Sequence, residues 1–422
     1  MAGHIQDRWY KTEPGPSGKA VRVKTDRHGI GLRYRARYIG PDGTEKSKSF
    51  PDKQKRQADA WLSNIEADMS RGQYIDPQAG KITFRQYATD WLASQTTDAS
   101  TRVAVESRLR LHAFPLLGSR PLASFQPSHI RAWSRALEDT VAAGSYRRVI
   151  FGNVSAVLSA AVDDGHLARN PCRAGSVRPP KPSAGRVVPW SSDRVFAVRD
   201  GMPDRLSATV DVGAGCGLRQ GEIFGLAVDD VDPLAGVLHV TQQIKLVNGH
   251  LLFAPPKNNK LRDVPLPDSV ASALAGHLTA FPPVEITLPW LRPDGPPVTK
   301  LLYFTGEALG ALRRNDFNTH AWKPALAAAG VIPVPGIGER YKAAREDGMH
   351  ALRHFYASVL LDSGENIKAL SAYLGHSDAG FTLRTYTHLM PASETRTRKA
   401  VDAVFCKAQR RPRGGPRPRD GP

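Results

Sequence analysis

The sequence predicts a multidomain α+β protein: a small sheet backed by a helix, then an all-helical region, then a mixed, mainly helical region with a small antiparallel sheet. Three observations predict it. The chain has 422 residues, too many for one ordinary core. Period-two alternation is confined to short stretches, while helical periodicity fills most of the rest. Two Gly- and Pro-broken segments, Gly72 to Gly80 and residues 177–190, separate the periodic regions.

Taken in order, residues 1–30 are polar and basic, with TEPGPSGK reading as a loop. A hairpin follows. Leu32, Tyr34, Ala36 and Tyr38 alternate with Arg33, Arg35 and Arg37, so the three arginines share one strand face. Pro41-Asp42-Gly43 supplies the turn, and Lys46 and Lys48 alternate on the return strand, opposite the arginines. From Asp52 to Met69 an amphipathic helix places Ala58, Trp61, Leu62, Ile65 and Met69 on its apolar side. A β-ribbon with a basic face fits the major groove of DNA, and a solvated charged face is the plainer alternative.

Residues 81–173 read as all-helical. Phe84, Tyr87, Trp91 and Leu92 make one stripe. Ser128 is expected to cap a helix through Ile130, Trp133 and Leu137. A longer helix spans roughly Ser145 to Val162 and stops at DDGHLARNPC, where Gly165 and Pro171 intervene. Arg147, Arg148 and Arg169 are phosphate contacts or ordinary surface charge. Residues 174–190 form a basic linker. Residues 191–400 form the third region, where VLHVTQQIKLVNGHLLFAP carries Asn248-Gly249 as a hairpin turn. Residues 401–422 are a basic tail of disordered composition.

The net charge is +18 and the pI about 10.0, a balance that suits a polyanion. Cys172, Cys216 and Cys406 are scattered without CxxC or CxxH spacing, so neither a disulfide framework nor a metal site is expected, and the profile is that of a reduced cytoplasm. No stretch approaches eighteen apolar residues, and the first fifteen lack a signal core, so no membrane association is expected.

Chemistry concentrates in the third region. Arg219, in CGLRQGEIFGL, lies where glycines break one helix and another begins, near free backbone N–H groups that favour a phosphate. Glu222, one turn on, either orients Arg219 or caps the helix. GAGCG, at 213–217, imitates a dinucleotide loop but lacks the G-x-G-x-x-G spacing, and the ATVDV before it looks helical. Lys257, in FAPPKNNKLRDVPLP, sits on a turn before an extended segment, with Lys260 three residues on. His350, Arg353 and His354, in HALRH, share one helical face. The two histidines could be a metal pair, but Ala351 stands where a zinc protease has glutamate, and Arg353 opposes a cation. His354 reads by default as a core histidine bonded to backbone. LGHSDAGFTLRTYTHL carries His376 and Tyr386. Two arginines to neutralise a phosphodiester, histidines and a lysine to move protons, and a tyrosine oxygen to attack phosphorus are parts sufficient to cut DNA without a metal.

The ordered set GLRQGE, HALRH and LGHSDAGFTLRTYTH resembles the tyrosine recombinases, specifically integrases of temperate phages and integrative elements. The resemblance spans nearly the whole chain: residues 20–70 resemble a three-stranded arm-binding domain (domain 1–76), 81–173 the core-binding domain, and 186–395 the catalytic domain. It implies that Arg219 and Arg353 clamp the scissile phosphate and His376 donates a hydrogen bond to it. It further implies that Tyr386 attacks, His350 is the general base, and Lys257 protonates the leaving 5′-oxygen. The implied activity is site-specific recombination through a 3′-phosphotyrosine, akin to type IB topoisomerase chemistry, with no cofactor. The implied partners are double-stranded DNA at core and arm attachment sites, a homotetramer on that DNA, an excisionase and a host DNA-bending protein. The implied setting is a bacterial cytoplasm or nucleoid. A conjugative-transposon transposase or chromosome-dimer resolvase would use the same residues; a DNA-binding regulator that no longer cuts is the alternative outside enzymes.

Overall fold

A computed structural model describes residues 3–14, 19–40, 43–71, 74, 79–182, 187–376 and 378–386. The Pro41-Asp42 turn, most of the Gly72–Gly80 linker, the middle of the 177–190 linker, Cys406 and the basic tail lie outside these residues. The chain divides into two compact units at residues 184 and 185.

The first unit opens with more strand than the sequence suggests. Strands β1 (His4–Asp7), β4 (Tyr34–Ile39) and β5 (Glu45–Phe50) form an antiparallel sheet in the order β1-β4-β5. Between them, β2 (Tyr10–Pro14) and β3 (Ala20–Lys24) pair as a separate antiparallel ladder, so Thr12, Glu13 and Pro14 of the expected TEPGPSGK loop are strand, while residues 15–18 lie outside the described residues. Polar sequence hid these strands, because one exposed ladder needs no apolar stripe. Helix α1 (Lys55–Ser70) packs Ala58, Leu62 and Ile65 against Tyr34, Ala36, Tyr38 and Phe50.

The register corrects one expectation. Lys48 lies opposite Ala36, and Lys46 opposite Tyr38. Directly opposed residues of an antiparallel pair share a face, so Lys46 and Lys48 lie on the helix side, not with the arginines. Their ammonium groups sit over aromatic rings: Lys48 is 5.5 Å from the Trp61 centroid and Lys46 5.7 Å from that of Tyr74. The other face carries Arg35 and Arg37 beside His4, Gln6, Ser47 and Ser49.

The same unit holds a second core. Helices α2 (Phe84–Ser94), α3 (Ala99–Arg108), α4 (Phe114–Leu117), α5 (Pro127–Thr140) and α6 (Gly144–Asp163) enclose Phe84, Leu109, Leu122, Ile130, Trp133, Ile150 and Leu158. Trp133 stacks on Phe151 and donates its indole N–H to the His112 carbonyl at 2.8 Å. The cap of α5 is Gln126, whose backbone N–H donates to His129 Nδ1 at 3.1 Å, and Ser128 lies inside the first turn. Pro127 at the first helical position makes the earlier start favourable.

The second unit begins with α7 (Ser192–Asp200), α8 (Asp204–Cys216) and the short α9 (Gln220–Phe224). Strand β6 (Val231–Asp232) and β7 (Val237–Val240) follow. Strands β8 (Gln243–Val247) and β9 (His250–Ala254) form the expected hairpin, with Asn248 and Gly249 both at positive φ, as its two-residue turn requires. Strand β10 (Arg262–Pro265) pairs with β7, giving the order β10-β7-β6. Then come α10 (Asp268–Ala280), a hairpin of β11 (Val284–Pro289) and β12 (Pro297–Leu302), and α11 (Arg314–Phe317) with α12 (Lys323–Ala328). The last helices are α13 (His350–Asp362), α14 (Ile367–Tyr373) and α15 (Ala379–Tyr386). One continuous core runs from Trp190 to Tyr386, with Val210, Phe253, Phe304, Leu352 and Leu370 at its centre. Residues 208–212 are helical, so the glycines of GAGCG end a helix and do not follow a strand.

Candidate active site

Helix α8 ends at Gly217, whose φ is +64° and whose missing Cβ makes room for the Tyr356 ring. This left-handed turn reverses the chain and sets Arg219 at the cap of α9. Glu222, one turn into α9, accepts the Arg219 backbone N–H at 2.9 Å and its Nη1 at 2.8 Å. It therefore does both jobs expected of it. Glu222 is fully buried, and burial alone would raise its pKa, but Arg262 first and Arg219 next hold it down to about 2. Removing one partner of such a buried pair costs about 3–5 kcal/mol.

Helix α13 presents three residues of HALRH to the same place. Arg353 is almost wholly buried. It donates Nη1 to the Gly217 carbonyl at 2.7 Å and Nη2 to the Leu374 carbonyl. Its Nε has no hydrogen-bond partner among the described residues. Burial, and next the charge of Arg219, lower its pKa to about 9. A buried guanidinium with a spare donor beside another arginine is set for an anion. Arg219 also donates Nη2 to the Leu374 and Gly375 carbonyls at 3.2 and 3.3 Å.

Tyr386 ends α15 and is buried, 1% exposed. Its hydroxyl lies 2.7 Å from His354 Nδ1. His354 is thus not a core histidine bonded to backbone, as its neighbours suggested; it holds the tyrosine. His350 packs its ring edge-on against His354, with centroids 4.7 Å apart, and has no hydrogen bond to Tyr386 among the described residues. Burial pushes the phenol up to about 12, a shift that Arg353 opposes. Burial first and then Arg353 lower His354 to about 4. The inner side of His350 is enclosed although its outer edge meets solvent. That enclosure, then His354, Arg353 and Arg219, lower it to about 3. All these imidazoles are neutral near pH 7 and able to accept a proton.

His376 follows α14 across Gly375, whose φ is +58°. Its Nδ1 lies 2.7 Å from the buried Thr382 hydroxyl, which fixes the ring, and its pKa is lowered to about 3 by burial, Arg353 and Arg219. Lys257 lies on an exposed turn, with Asn258 and Asn259 both at positive φ. Lys260 donates to the His376 carbonyl at 2.6 Å, while Lys257 has no hydrogen bond or ion pair with the described residues.

The structure therefore brings together Arg219, His350, Arg353, His376 and Tyr386, and adds Glu222, Lys260, Arg262, His354 and Thr382. Arg262 left no motif signal: it opens the short strand RDVP, where it reads as one of two adjacent charged residues. The three N-terminal arginines differ in occupation. Arg33 is paired with Asp7 and Asp52 at 2.9 and 2.8 Å, and Arg37 with Glu45 at 3.1 Å, whereas Arg35 donates to the Ser47 hydroxyl at 2.9 Å and has no ion pair among the described residues. Burial alone would raise the Asp7 carboxyl, but Arg33 and Arg22 hold it at about 2. Arg147 is half-buried on α6, and Arg148 is exposed and donates to the Pro180 carbonyl at 3.3 Å. Among the described residues no group of three or more His, Cys, Asp or Glu could hold a metal, and no helix is long and apolar enough to cross a membrane.

The chain is similar to known proteins in sequence and in fold. The model of the phage integrase central domain matches residues 84–176. The prophage phiRv2 integrase of Mycobacterium tuberculosis strain H37Rv is 25% identical over 367 residues, covering 84% of this chain and 88% of its own length. The integrase of Mycobacterium phage L5 is 24% identical, covering 90% and 96%. A tyrosine recombinase XerC-like protein of Caldanaerobacter subterraneus is 28% identical over 58% of this chain and 62% of its own. In fold, the chain is similar to the Tn1549 transposon integrase solved with transposon right end DNA (TM-score 0.62, 18% identity, 77% of this chain and all of that one). It is also similar to the lambda integrase tetramer bound to a Holliday junction (TM-score 0.52, 16% identity, 82% and 93%). With the ordered motifs and the arginine–histidine–tyrosine cluster, these similarities make the chain resemble the tyrosine recombinases, and its residues 84–176 match the central domain of the phage integrases.

Proposed function

We propose that this protein is a site-specific DNA recombinase that integrates and excises a mobile element. The observation that carries the reading is the convergence of Arg219, Arg353, His376 and a histidine-held Tyr386 on one point of the second unit. Arg219 and Arg353 bind the non-bridging oxygens of the scissile phosphate, and His376 donates a hydrogen bond to it. The Tyr386 oxygen attacks phosphorus and its proton passes to an imidazole. His354, already on the hydroxyl, is placed for that transfer, with His350 beside it. The bond from phosphorus to the 5′-oxygen breaks, and a lysine, Lys257 or Lys260, protonates that oxygen. The 3′-phosphotyrosine keeps the bond energy, so rejoining needs no ATP.

The helical region at 81–173 and the catalytic region at 191–400 would each contact core DNA, with Arg147 and Arg148 on phosphates. The N-terminal sheet in residues 1–76 would hold arm DNA through Arg35 and Arg37, with Arg33 more tightly engaged by carboxylates. Lambda integrase was solved as a tetramer on a Holliday junction; four protomers on two duplexes is the assembly proposed here. An excisionase and a host bending protein would set direction.

A suicide substrate, nicked near the cleavage site so that the 5′-end diffuses away, tests the reading. Wild-type protein is expected to accumulate a covalent DNA complex. Tyr386→Phe, which loses only the phenol oxygen, should bind the same DNA within about threefold and form none. Covalent complex in Tyr386→Phe at wild-type yield would exclude Tyr386 as nucleophile.

A further inference from the structure

Four successive backbone carbonyls hold the cations of this site. Arg262 Nε donates to the Tyr373 carbonyl at 2.7 Å. Arg219 and Arg353 both donate to that of Leu374. Arg219 reaches the Gly375 carbonyl at 3.3 Å, and Lys260 the His376 carbonyl at 2.6 Å. The turn that presents His376 is thus also the shelf on which both phosphate-binding arginines rest.

Arg262 differs from the others. It enters from β10, and its side chain is 6% exposed. Its Nη1 and Nη2 grip Glu222 Oε1 and Oε2 at 3.0 and 2.6 Å, and its Nε holds the turn. Every nitrogen of the guanidinium is occupied within the protein, in the bidentate geometry that gives arginine pairs their directional precision. The turn is moulded to it: a Cβ on Gly375 would lie 3.0 Å from Arg262 Cδ and 3.2 Å from Nε. The carboxylate it grips is the one that also fixes Arg219, through both the N–H and Nη1.

We propose that Arg262 is a positioning residue for phosphodiester cleavage, locking Glu222 to the Tyr373–Gly375 turn so that Arg219, Arg353 and His376 are aimed at one phosphate. It acts through those groups and does not touch DNA. Without it, Glu222 would be answered by Arg219 alone, which would be drawn toward the carboxylate and away from the phosphate. The turn under His376 would also lose its anchor. The inference rests on the reading of Arg219 and Arg353 as the phosphate clamp.

Arg262→Gln and Arg262→Lys are compared with wild type on two suicide duplexes, one with a normal scissile phosphate and one with a neutral methylphosphonate there. A methyl in place of a non-bridging oxygen removes the formal charge, so misaimed arginines matter less. Arg262→Gln is expected to slow covalent-complex formation on the phosphodiester by about 10²-fold, the scale of an ångström-sized misplacement. It should slow reaction on the methylphosphonate by no more than about tenfold, with DNA affinity within about threefold on both. Arg262→Lys should recover part of the rate. Equal losses on both substrates, a loss confined to DNA affinity, or no loss would each overturn the proposal. If Arg262→Gln does not fold, Arg262→Lys is read in its place, since it keeps the charge but not the three-way grip. If neither folds, Arg262 is a structural support and the proposal fails. No covalent complex with wild-type protein would refute the functional reading itself, and this inference with it.

Discussion

At the scale of residues, chemistry was easier to read than geometry. Arg219, His350, Arg353, His376 and Tyr386 announce themselves by unusual residue types at helical spacing, and the fold gathers them. His354 did not, because adjacency to Arg353 says nothing about where a side chain points. Only the position of α15 reveals that its ring meets Tyr386. Lys257 and Lys260 were ambiguous in sequence, and the turn at Asn258 and Asn259 explains why: two left-handed residues between them send the lysines along different directions. Substitution tests which lysine, Lys257 or Lys260, is the proposed general acid. Replacing it with alanine should slow cleavage of a normal phosphodiester by about 10²–10⁴-fold, the usual worth of a general acid. It should cost little on a duplex whose bridging 5′-oxygen is sulfur, because a thiolate leaves unprotonated. Selective loss in Lys257→Ala would assign the role to Lys257; selective loss in Lys260→Ala, to the residue already tied to the His376 carbonyl. Uniform loss in both would remove a lysine from that step.

At the scale of elements, the Asn248-Gly249 turn signal found the β8–β9 hairpin, and periodicity found α1, α2, α5 and α6 because their apolar residues recur at helical spacing. It missed β1, β2 and β3, whose residues are largely exposed and so carry no stripe. It also put Lys46 and Lys48 on the wrong side of the sheet. Alternation fixes faces within one strand, but only the register fixes how two strands relate, and here the register pairs the lysines with Ala36 and Tyr38. The two faces should separate in a binding measurement on attachment-site DNA found beside the gene. Arg35→Ala with Arg37→Ala is expected to weaken arm-site binding about tenfold or more. Lys46→Ala with Lys48→Ala, stripped of ammonium groups that sit over aromatic rings, should weaken it by no more than about threefold while lowering the melting temperature. The reverse order would place the DNA on the helix side.

At the scale of the whole molecule, a net charge of +18 makes DNA affinity strongly salt-dependent. A chain lacking residues 1–76 is expected to cleave a core-site suicide duplex and resolve four-way junctions, yet fail in full integration. The logarithmic salt slope of its binding to attachment-site DNA should flatten by about one unit for each phosphate that the sheet no longer neutralises. Normal integration with an unchanged slope would show that the sheet is a solvated appendage. The cluster at the heart of the second unit solves a related problem of charge. Arginines assembled in the absence of DNA repel one another, and a carboxylate beside each would calm them. Those same carboxylates would then compete with the substrate and push its phosphate away. Here, among the described residues, one buried carboxylate, Glu222, is divided between Arg262 and Arg219. Arg353 rests instead on the carbonyls of Gly217 and Leu374, and Arg219 leans on those of Leu374 and Gly375. Such dipoles temper the repulsion yet carry no net charge. The arginines are thereby left with a positive surplus that only an arriving anion can answer.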